Sequence, residues 1–324
     1  MIDAIGGYFE WELPERSGFP HEDGVLLNSG RNALEYVLQA LGDVNHVFVP
    51  YYTCDVVLEP LVKLGISYTF YPINQNLELK EWPTHQSGEY LIYNNYFGIK
   101  DEYVGKLAKR YGSQLIVDNA QAWFAEPINR VSTIYSPRKY VGIPDGGVAY
   151  CPKPVDEQAF EQDLSYERCS HLLKRLDLGP SEGYADFRAN SKQLVGQPVK
   201  RMSKLTRRML CSVDFEAIKD KRRKNFGYLH EHLEETNLFD MPSMDSFACP
   251  MVYPYLTDDT SLKQRLIENK VFVATYWPNI HDKVTYMLES NLAERLIPIP
   301  CDQRYGKDEL SRAIAVVLSK CCSS

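Results

Sequence analysis

Short apolar segments alternate with helical patterns along the first half of this 324-residue chain. The apolar segments are residues 46–49, 67–71, 90–93, 114–117, 131–135 and 148–151. Apolar residues at helical spacing mark residues 28–42, 53–64 and 101–111 between them. Strands that alternate with helices of about ten residues are typical of α/β folds with a mainly parallel sheet. The sequence therefore predicts an α/β domain built on such a sheet.

The rest of the chain has a different pattern. Residues 155–240 are helical and charged, short strands and helices mix after residue 248, and residues 307–318 form a last amphipathic helix. A chain that is 44% hydrophobic and of this length can bury one large core and a smaller one. We expect a large domain over residues 1–205 and a small α+β domain over residues 206–324.

The composition argues against several classes of protein. The 36 basic and 43 acidic residues give a net charge of −7, so there is no bulk reason to expect nucleic-acid or membrane binding. No apolar run reaches the ~18 residues of a membrane helix, and the N-terminus does not resemble a signal peptide. The histidines and cysteines lack HExxH or CxxC spacing, so we expect no metal site. Free thiols suit a cytoplasmic protein.

Basic residues are concentrated between positions 200 and 224. Such a patch can attract the phosphates of nucleic acid, and one or two of its side chains could bind the diphosphate of a nucleotide-sugar. A solvated helix face is the interpretation that we favour.

The first segment that could carry chemistry is Asn28-Ser29-Gly30, just before a helix. A helix N-terminus has unpaired N–H groups and the positive end of the helix dipole, which suits a phosphate. Ser29 adds a hydroxyl, and Gly30 lets the backbone come close. An ordinary helix cap formed by Ser29 is the alternative, and the segment alone favours it.

The second segment begins with Asp118, at the end of an apolar strand. In open α/β sheets the carboxyl ends of the strands are where ligands bind. A carboxylate there can pair with a cationic ring nitrogen, and Gln121 would lie on the same side if a helical turn follows. Capping of that turn by Asp118 is the alternative.

The third segment is Ser136-Pro137-Arg138-Lys139, followed by the pair Gly146-Gly147. Partial desolvation of Lys139 would lower its pKa and free the amine to attack a carbonyl group. Ser136 could bind a phosphate, whereas a solvated loop lysine is the alternative. Together the segments supply what pyridoxal 5'-phosphate (PLP) requires, namely a phosphate site, an acid for the pyridine nitrogen and an amine for the aldehyde.

Several motifs resemble those of the DegT/StrS family of PLP-dependent sugar aminotransferases. They are Ser29-Gly30-Arg31-Asn32-Ala33, Pro50-Tyr51-Tyr52-Thr53, Tyr96-Phe97-Gly98, Asp118-Asn119-Ala120-Gln121-Ala122, Lys139 before Gly146-Gly147, and Ile297-Pro298-Ile299-Pro300. The similarity spans nearly the whole chain. It implies the fold-type I architecture, with a three-layer α/β/α large domain and a smaller C-terminal α+β domain.

The resemblance also implies roles for individual residues. Lys139 would form the Schiff base and act as general base and acid, and Asp118 would pair with the pyridine nitrogen. Tyr52 or Tyr96 would stack on the ring, although the family often has an aromatic residue where Cys54 stands here. The predicted cofactor-binding residues are Ser29, Gly30, Arg31, Thr53, Tyr96, Asp118, Gln121, Ser136 and Lys139.

Two positions depart from the family. Arg31 replaces a small residue and could pair with the phosphate bidentately or be a surface charge. The family's Asn-x-Arg-Met segment, whose asparagine often belongs to the partner subunit's site, reads Val199-Lys200-Arg201-Met202 here.

The resemblance implies an aminotransferase that moves an amino group from glutamate or glutamine to a keto sugar, in polysaccharide or amino-sugar biosynthesis. The sugar would be nucleotide-linked and the enzyme a homodimer. Other PLP chemistry, such as dehydration or transfer to a non-sugar ketone, is one alternative, although relatives that dehydrate carry histidine where Lys139 stands. A catalytically silent sensor or partner protein is the other alternative.

Overall fold

A computed structural model describes residues 5–16, 18–282 and 287–319. The strands are β1 (Val25–Leu27), β2 (His46–Pro50), β3 (Ser67–Tyr71), β4 (Glu89–Asn94), β5 (Leu115–Asn119), β6 (Ser132–Tyr135), β7 (Gly147–Tyr150), β8 (Val252–Leu256) and β9 (Leu296–Pro300). The α-helices are α1 (Gly30–Leu41), α2 (Leu58–Lys63), α3 (Asp101–Tyr111), α4 (Ser170–Leu178), α5 (Pro180–Gln193), α6 (Lys204–Cys211), α7 (Phe215–Leu233), α8 (Leu262–Glu268), α9 (Met287–Arg295) and α10 (Lys307–Leu318). None of these helices is long and apolar enough to cross a membrane.

The first seven strands form one sheet in the order β1-β7-β6-β5-β4-β2-β3. Strands β2 to β6 run parallel, and β7 and β1 add an antiparallel edge. From β2 the chain adds β3 on one side and then returns to add β4 on the other. Such a reversal opens a crevice at the carboxyl ends of the strands. The predicted mainly parallel sheet is confirmed, and the three-residue strand β1 was not predicted.

Side chains of the central strands alternate between two cores. In β5, Leu115 and Val117 pack into the core that α3 covers, whereas Ile116 packs into the core that α1 covers. Successive side chains of a strand point to opposite faces, so a strand buried on both faces has a continuous apolar run. The cores on the two faces confirm the predicted three-layer α/β/α architecture.

The C-terminal part pairs β8 with β9 and packs α7, α8 and α10 around them. Its core is continuous with that of the main sheet, since the Phe215 ring lies 6.0 Å from Trp123 and 6.2 Å from Phe124. The predicted domain boundary after residue 205 falls inside α6, so the chain is helical there and forms no linker. Division into two domains therefore stays a prediction. Residues 283–286 and 320–324 of the predicted small domain, and residues 1–4 of the N-terminal segment, lie outside the described residues.

The expectation of a solvated basic face is wrong for two arginines of α7. Arg222 is buried and donates to the carbonyl oxygen of Met251 at 2.8 Å. Arg223 donates to the carbonyl oxygen of Phe247 at 2.9 Å. Because backbone carbonyls before β8 accept from these guanidinium groups, both side chains tie α7 to the segment that leads into β8.

Candidate active site

A cleft of about 890 Å³ opens where β2, β4, β5 and β6 end. The parallel register brings these ends together, and it pairs Asn94 of β4 with Asp118 of β5. All of the predicted cofactor-binding residues except Tyr96 line this cleft. The three polar segments, far apart in sequence, therefore form one site.

Asp118 is part-buried at the end of β5. Its Oδ1 accepts a hydrogen bond from the Ala120 N–H at 2.8 Å, so the capping role considered from sequence is present. Its Oδ2 accepts no hydrogen bond from the described residues. Burial raises the pKa of this carboxyl group, and the positive charge of Lys139 acts in the opposite direction. Asp118 can cap the turn and still present one oxygen to a cationic group.

Gln121 holds a hydrogen-bond donor without a partner. Its Oε1 accepts from the Phe97 N–H at 2.9 Å, whereas its Nε2 is buried and has no partner among the described residues. A buried donor left unpaired costs about 1–3 kcal/mol. An unpaired buried donor in a native structure needs an explanation. A ligand oxygen in the cleft that accepts from Gln121 Nε2 is such an explanation, and it agrees with the predicted contact with a ring hydroxyl.

Ser29, Gly30 and Ser136 converge at one wall of the cleft. The Ser29 Oγ accepts from the Asn32 N–H at 3.2 Å, so the helix-cap alternative is correct for this hydroxyl. A Cβ on Gly30 would lie 3.2 Å from Ser136 Cβ and would fill the space between them. The Ser136 side chain caps no helix. Its hydroxyl and the N-terminus of α1 are therefore available to an anion.

Lys139 is exposed at the cleft wall, so the prediction of a partly desolvated amine is wrong. The cleft is open to solvent there, and the side chain forms no ion pair within 4 Å among the described residues. Its neighbour Tyr140 is buried and donates to the carbonyl oxygen of Gln121 at 2.7 Å. This bond joins the loop that carries the amine to the turn that follows Asp118.

The predicted stacking of Tyr52 or Tyr96 on a cofactor ring is not what the structure has. Both side chains are buried and neither lines the cleft. The Tyr96 hydroxyl donates to the carbonyl oxygen of Tyr52 at 2.9 Å, which holds the two residues on the core side of the sheet. Trp277 is the aromatic residue at the cleft within the described part of the chain. Asn279 donates to the Thr53 carbonyl oxygen at 3.2 Å and brings this segment to the end of β2.

Thr53 lines the cleft as predicted, but its hydroxyl is already engaged by Asn94. Asn94 Nδ2 donates to Thr53 Oγ1 at 2.8 Å, and Asn94 Oδ1 is buried without a partner among the described residues. Asn94, Trp277 and Arg138 also line the cleft and were not among the predicted site residues. Asn94 had a usable signal, because it directly follows the predicted strand 90–93. Trp277 had none, because its distance along the chain hides its contact with the sheet.

The cleft residues fit the predicted cofactor. The unpaired Nε2 of Gln121 suits a ring hydroxyl. The space beside Gly30 suits a phosphate, and the oxygen of Asp118 that accepts no hydrogen bond suits a ring nitrogen. Within the described ranges, no group of histidine, cysteine, aspartate or glutamate side chains could hold a metal ion.

Several solved structures share the fold of this chain. DesV from S. venezuelae, solved in complex with a ketimine intermediate, is 16% identical with a TM-score of 0.64, over 91% of this chain and 83% of its own. The sugar aminotransferase CalS13 from Micromonospora echinospora is 14% identical with a TM-score of 0.60, over 90% and 86%. NtdA from Bacillus subtilis, with bound cofactor PMP, is 14% identical with a TM-score of 0.62, over 90% and 72%.

No protein-family model and no curated protein matches the sequence. At these identities the similarity shows the fold, which is the predicted fold-type I architecture.

Asp118→Asn should stabilise the folded chain at neutral pH. Because burial raises the folded-state pKa of Asp118, the folded chain binds this proton more tightly than the unfolded chain does. The free energy of unfolding therefore falls as pH rises from the unfolded-state pKa through the folded-state pKa. Denaturant unfolding at several pH values checks this, and the difference between variant and wild type should vanish at pH values below both pKa values.

Asp186→Asn is the matched control, because the hydrogen bond from Lys174 lowers the pKa of Asp186. This substitution should give no gain in stability at neutral pH. A wild-type chain more stable than Asp118→Asn at neutral pH would contradict the electrostatic account of Asp118.

Proposed function

We propose that this chain is a PLP-dependent aminotransferase. The observation that carries the proposal is one cleft lined by a desolvated carboxyl group, an unpaired buried amide and an amine whose charge affects that carboxyl group. The sugar aminotransferase CalS13 and the PMP-bound NtdA support the proposal, since both share the fold.

Each cleft residue has a defined task in this proposal. When bound, PLP supplies an electron sink for the carbanion that forms at the substrate carbon. The Asp118 carboxylate keeps the ring nitrogen protonated, and Gln121 Nε2 donates to the ring hydroxyl. The Ser136 hydroxyl and the N-terminus of α1 bind the phosphate, while Ser29 caps that helix.

Lys139 performs the covalent and proton-transfer steps. Its amine would hold the cofactor covalently and, when free, would move a proton at the substrate carbon as base and acid. The exposed position gives substrates access to this amine. The hydrogen bond from Tyr140 to Gln121 keeps the loop of Lys139 at a constant position relative to the ring-binding residues.

The substrates follow from the family resemblance. We propose glutamate or glutamine as the amino donor and a nucleotide-linked keto sugar as the acceptor, in a cytoplasmic pathway that makes amino sugars for polysaccharides. The presence of Lys139, rather than histidine, favours transamination over dehydration.

A homodimer is part of the same proposal, and exposed apolar side chains support it. Leu176 of α4 is 83% exposed and Tyr184 of α5 is 59% exposed. Apolar surface of this kind on a helical hairpin marks a protein–protein contact. The exposed large apolar side chains on and beside these helices are Leu164, Tyr166, Leu173, Leu176, Leu178, Tyr184, Phe187 and Val195.

Lys139→Ala should abolish the covalent attachment of PLP and lower the transamination rate at least about 100-fold, because it removes both the covalent and the proton-transfer group. The measurement is borohydride reduction of the PLP-loaded protein, followed by mass mapping of the labelled peptide and a donor half-reaction assay. Lys153→Ala, which changes an exposed lysine outside the cleft, is the control and should retain label and activity. A label on another lysine, or full activity of Lys139→Ala, would exclude this mechanism.

Leu176→Glu should shift the protein from dimer to monomer, because it places a charge in the proposed apolar contact. Sedimentation velocity checks the assembly state, with Leu318→Glu at an exposed position of α10 as the control. A wild-type protein that is fully active and sediments as a monomer would refute the dimer.

A further inference from the structure

Arg138 is a cation at the cleft that no described carboxylate pairs with directly. Its side chain is part-buried, lines the cleft, and forms no hydrogen bond or ion pair within the described ranges. Its guanidinium carbon lies 5.8 Å from the centre of the Phe187 ring, which supports it from one side. Nearly all other arginines in the protein's interior donate to carbonyl or carboxylate oxygens, as Arg168 and Arg222 do. An unpaired, part-buried charge is costly unless a ligand neutralises it.

Arg31 is the second cation at this wall. It occupies the first turn of α1, directly after Gly30, and its side chain is 17% exposed. Its Nε lies 3.3 Å from Glu59 Oε2, which orients the guanidinium group from one side. The terminal amino groups of Arg31, on the side of the guanidinium group away from Glu59, form no hydrogen bond with other described residues.

The two arginines influence each other. Burial lowers the pKa of Arg138, the negative charge of Asp145 acts in the opposite direction, and the positive charge of Arg31 lowers the pKa again. Asp145, whose charge favours the protonated form of Arg138, is itself paired with Arg168 at 2.9 Å. Arg31 and Arg138 together have one direct carboxylate partner, Glu59, among the described residues. A bound anion would neutralise the second positive charge.

We propose that Arg31 and Arg138 form a clamp that binds the phosphate dianion of the cofactor from within one chain. This inference rests on the proposed function and adds the two charges that hold the phosphate. Arg31 directly follows Gly30, and Arg138 lies two residues after Ser136, so both flank the wall where the Ser136 hydroxyl and the α1 N-terminus converge. Guanidinium groups bind phosphate bidentately, more strongly than hydroxyls or amides do.

The test compares PLP with pyridoxal, which has the same aldehyde but no phosphate. In Arg138→Gln and in Arg31→Gln, the dissociation constant for PLP should rise about tenfold to a hundredfold, as loss of a charge-assisted hydrogen bond predicts. The dissociation constant for pyridoxal should stay unchanged. Both constants are measured by absorbance titration. Arg312→Gln, at an exposed position of α10, is the control and should bind PLP like the wild type.

Competition with inorganic phosphate tests the clamp on the wild-type protein, without any substitution. Inorganic phosphate should compete with PLP for the wild-type protein but not with pyridoxal, since pyridoxal leaves the clamp free. Thermal unfolding of each variant checks that the fold is intact. If Arg31→Gln fails to fold, because the contact with Glu59 is lost, Arg138→Gln and the phosphate competition still decide the question.

Three results would overturn the clamp. They are unchanged PLP affinity in both variants, equal losses for PLP and pyridoxal, and an effect confined to the KM of a phosphorylated or nucleotide-linked substrate. The last result would assign the anion site to the substrate. A wild-type protein that binds neither PLP nor pyridoxal would refute the proposed function instead. Calorimetry with inorganic phosphate on wild type and Arg138→Gln would then still test the arginine pair.

Discussion

The parallel pairing of β4, β5 and β6 is the constraint on which the site depends. In the observed register, Asn94 lies beside Asp118, and β6 ends beside them at Tyr135, directly before Ser136. Parallel strands end at the same edge of a sheet, so residues that are distant in sequence meet there without any dedicated contact. The loop that carries Lys139 needs one further bond, from Tyr140 to the backbone of Gln121, to reach the same edge.

The cleft contains several groups that cost the fold free energy. Burial raises the pKa of Asp118. Among the described residues, Gln121 Nε2 and Asn94 Oδ1 have no hydrogen-bond partner, and Arg138 forms no ion pair. Elsewhere the described part of the chain satisfies its buried tyrosines and arginines mostly through backbone carbonyls, as with Arg222. Strained or unpaired groups persist in native structures mainly where function needs them, because a bound ligand can supply the missing partners.

The sequence predicted those helices and strands whose apolar residues recur at a regular spacing. The helix over residues 101–111 and the strand over residues 67–71 match α3 and β3, since apolar spacing reports which face is buried. Asp118 was recognisable because it ends an apolar strand. Tyr96 was misassigned because spacing cannot tell whether the loop after β4 turns a ring toward the cleft or the core. The exposure of Lys139 likewise depends on how open the cleft is, and that depends on tertiary packing.

The central claim is that the Asp118 carboxylate keeps the ring nitrogen of a Lys139-linked cofactor protonated. The nitrogen-15 NMR shift of ring-labelled PLP, bound to the wild-type protein and to Asp118→Asn at neutral pH, measures this directly. The account predicts a protonated ring nitrogen in the wild-type protein and an unprotonated one in the variant. An unprotonated nitrogen in the wild-type protein, or the same protonated shift in both, would contradict it.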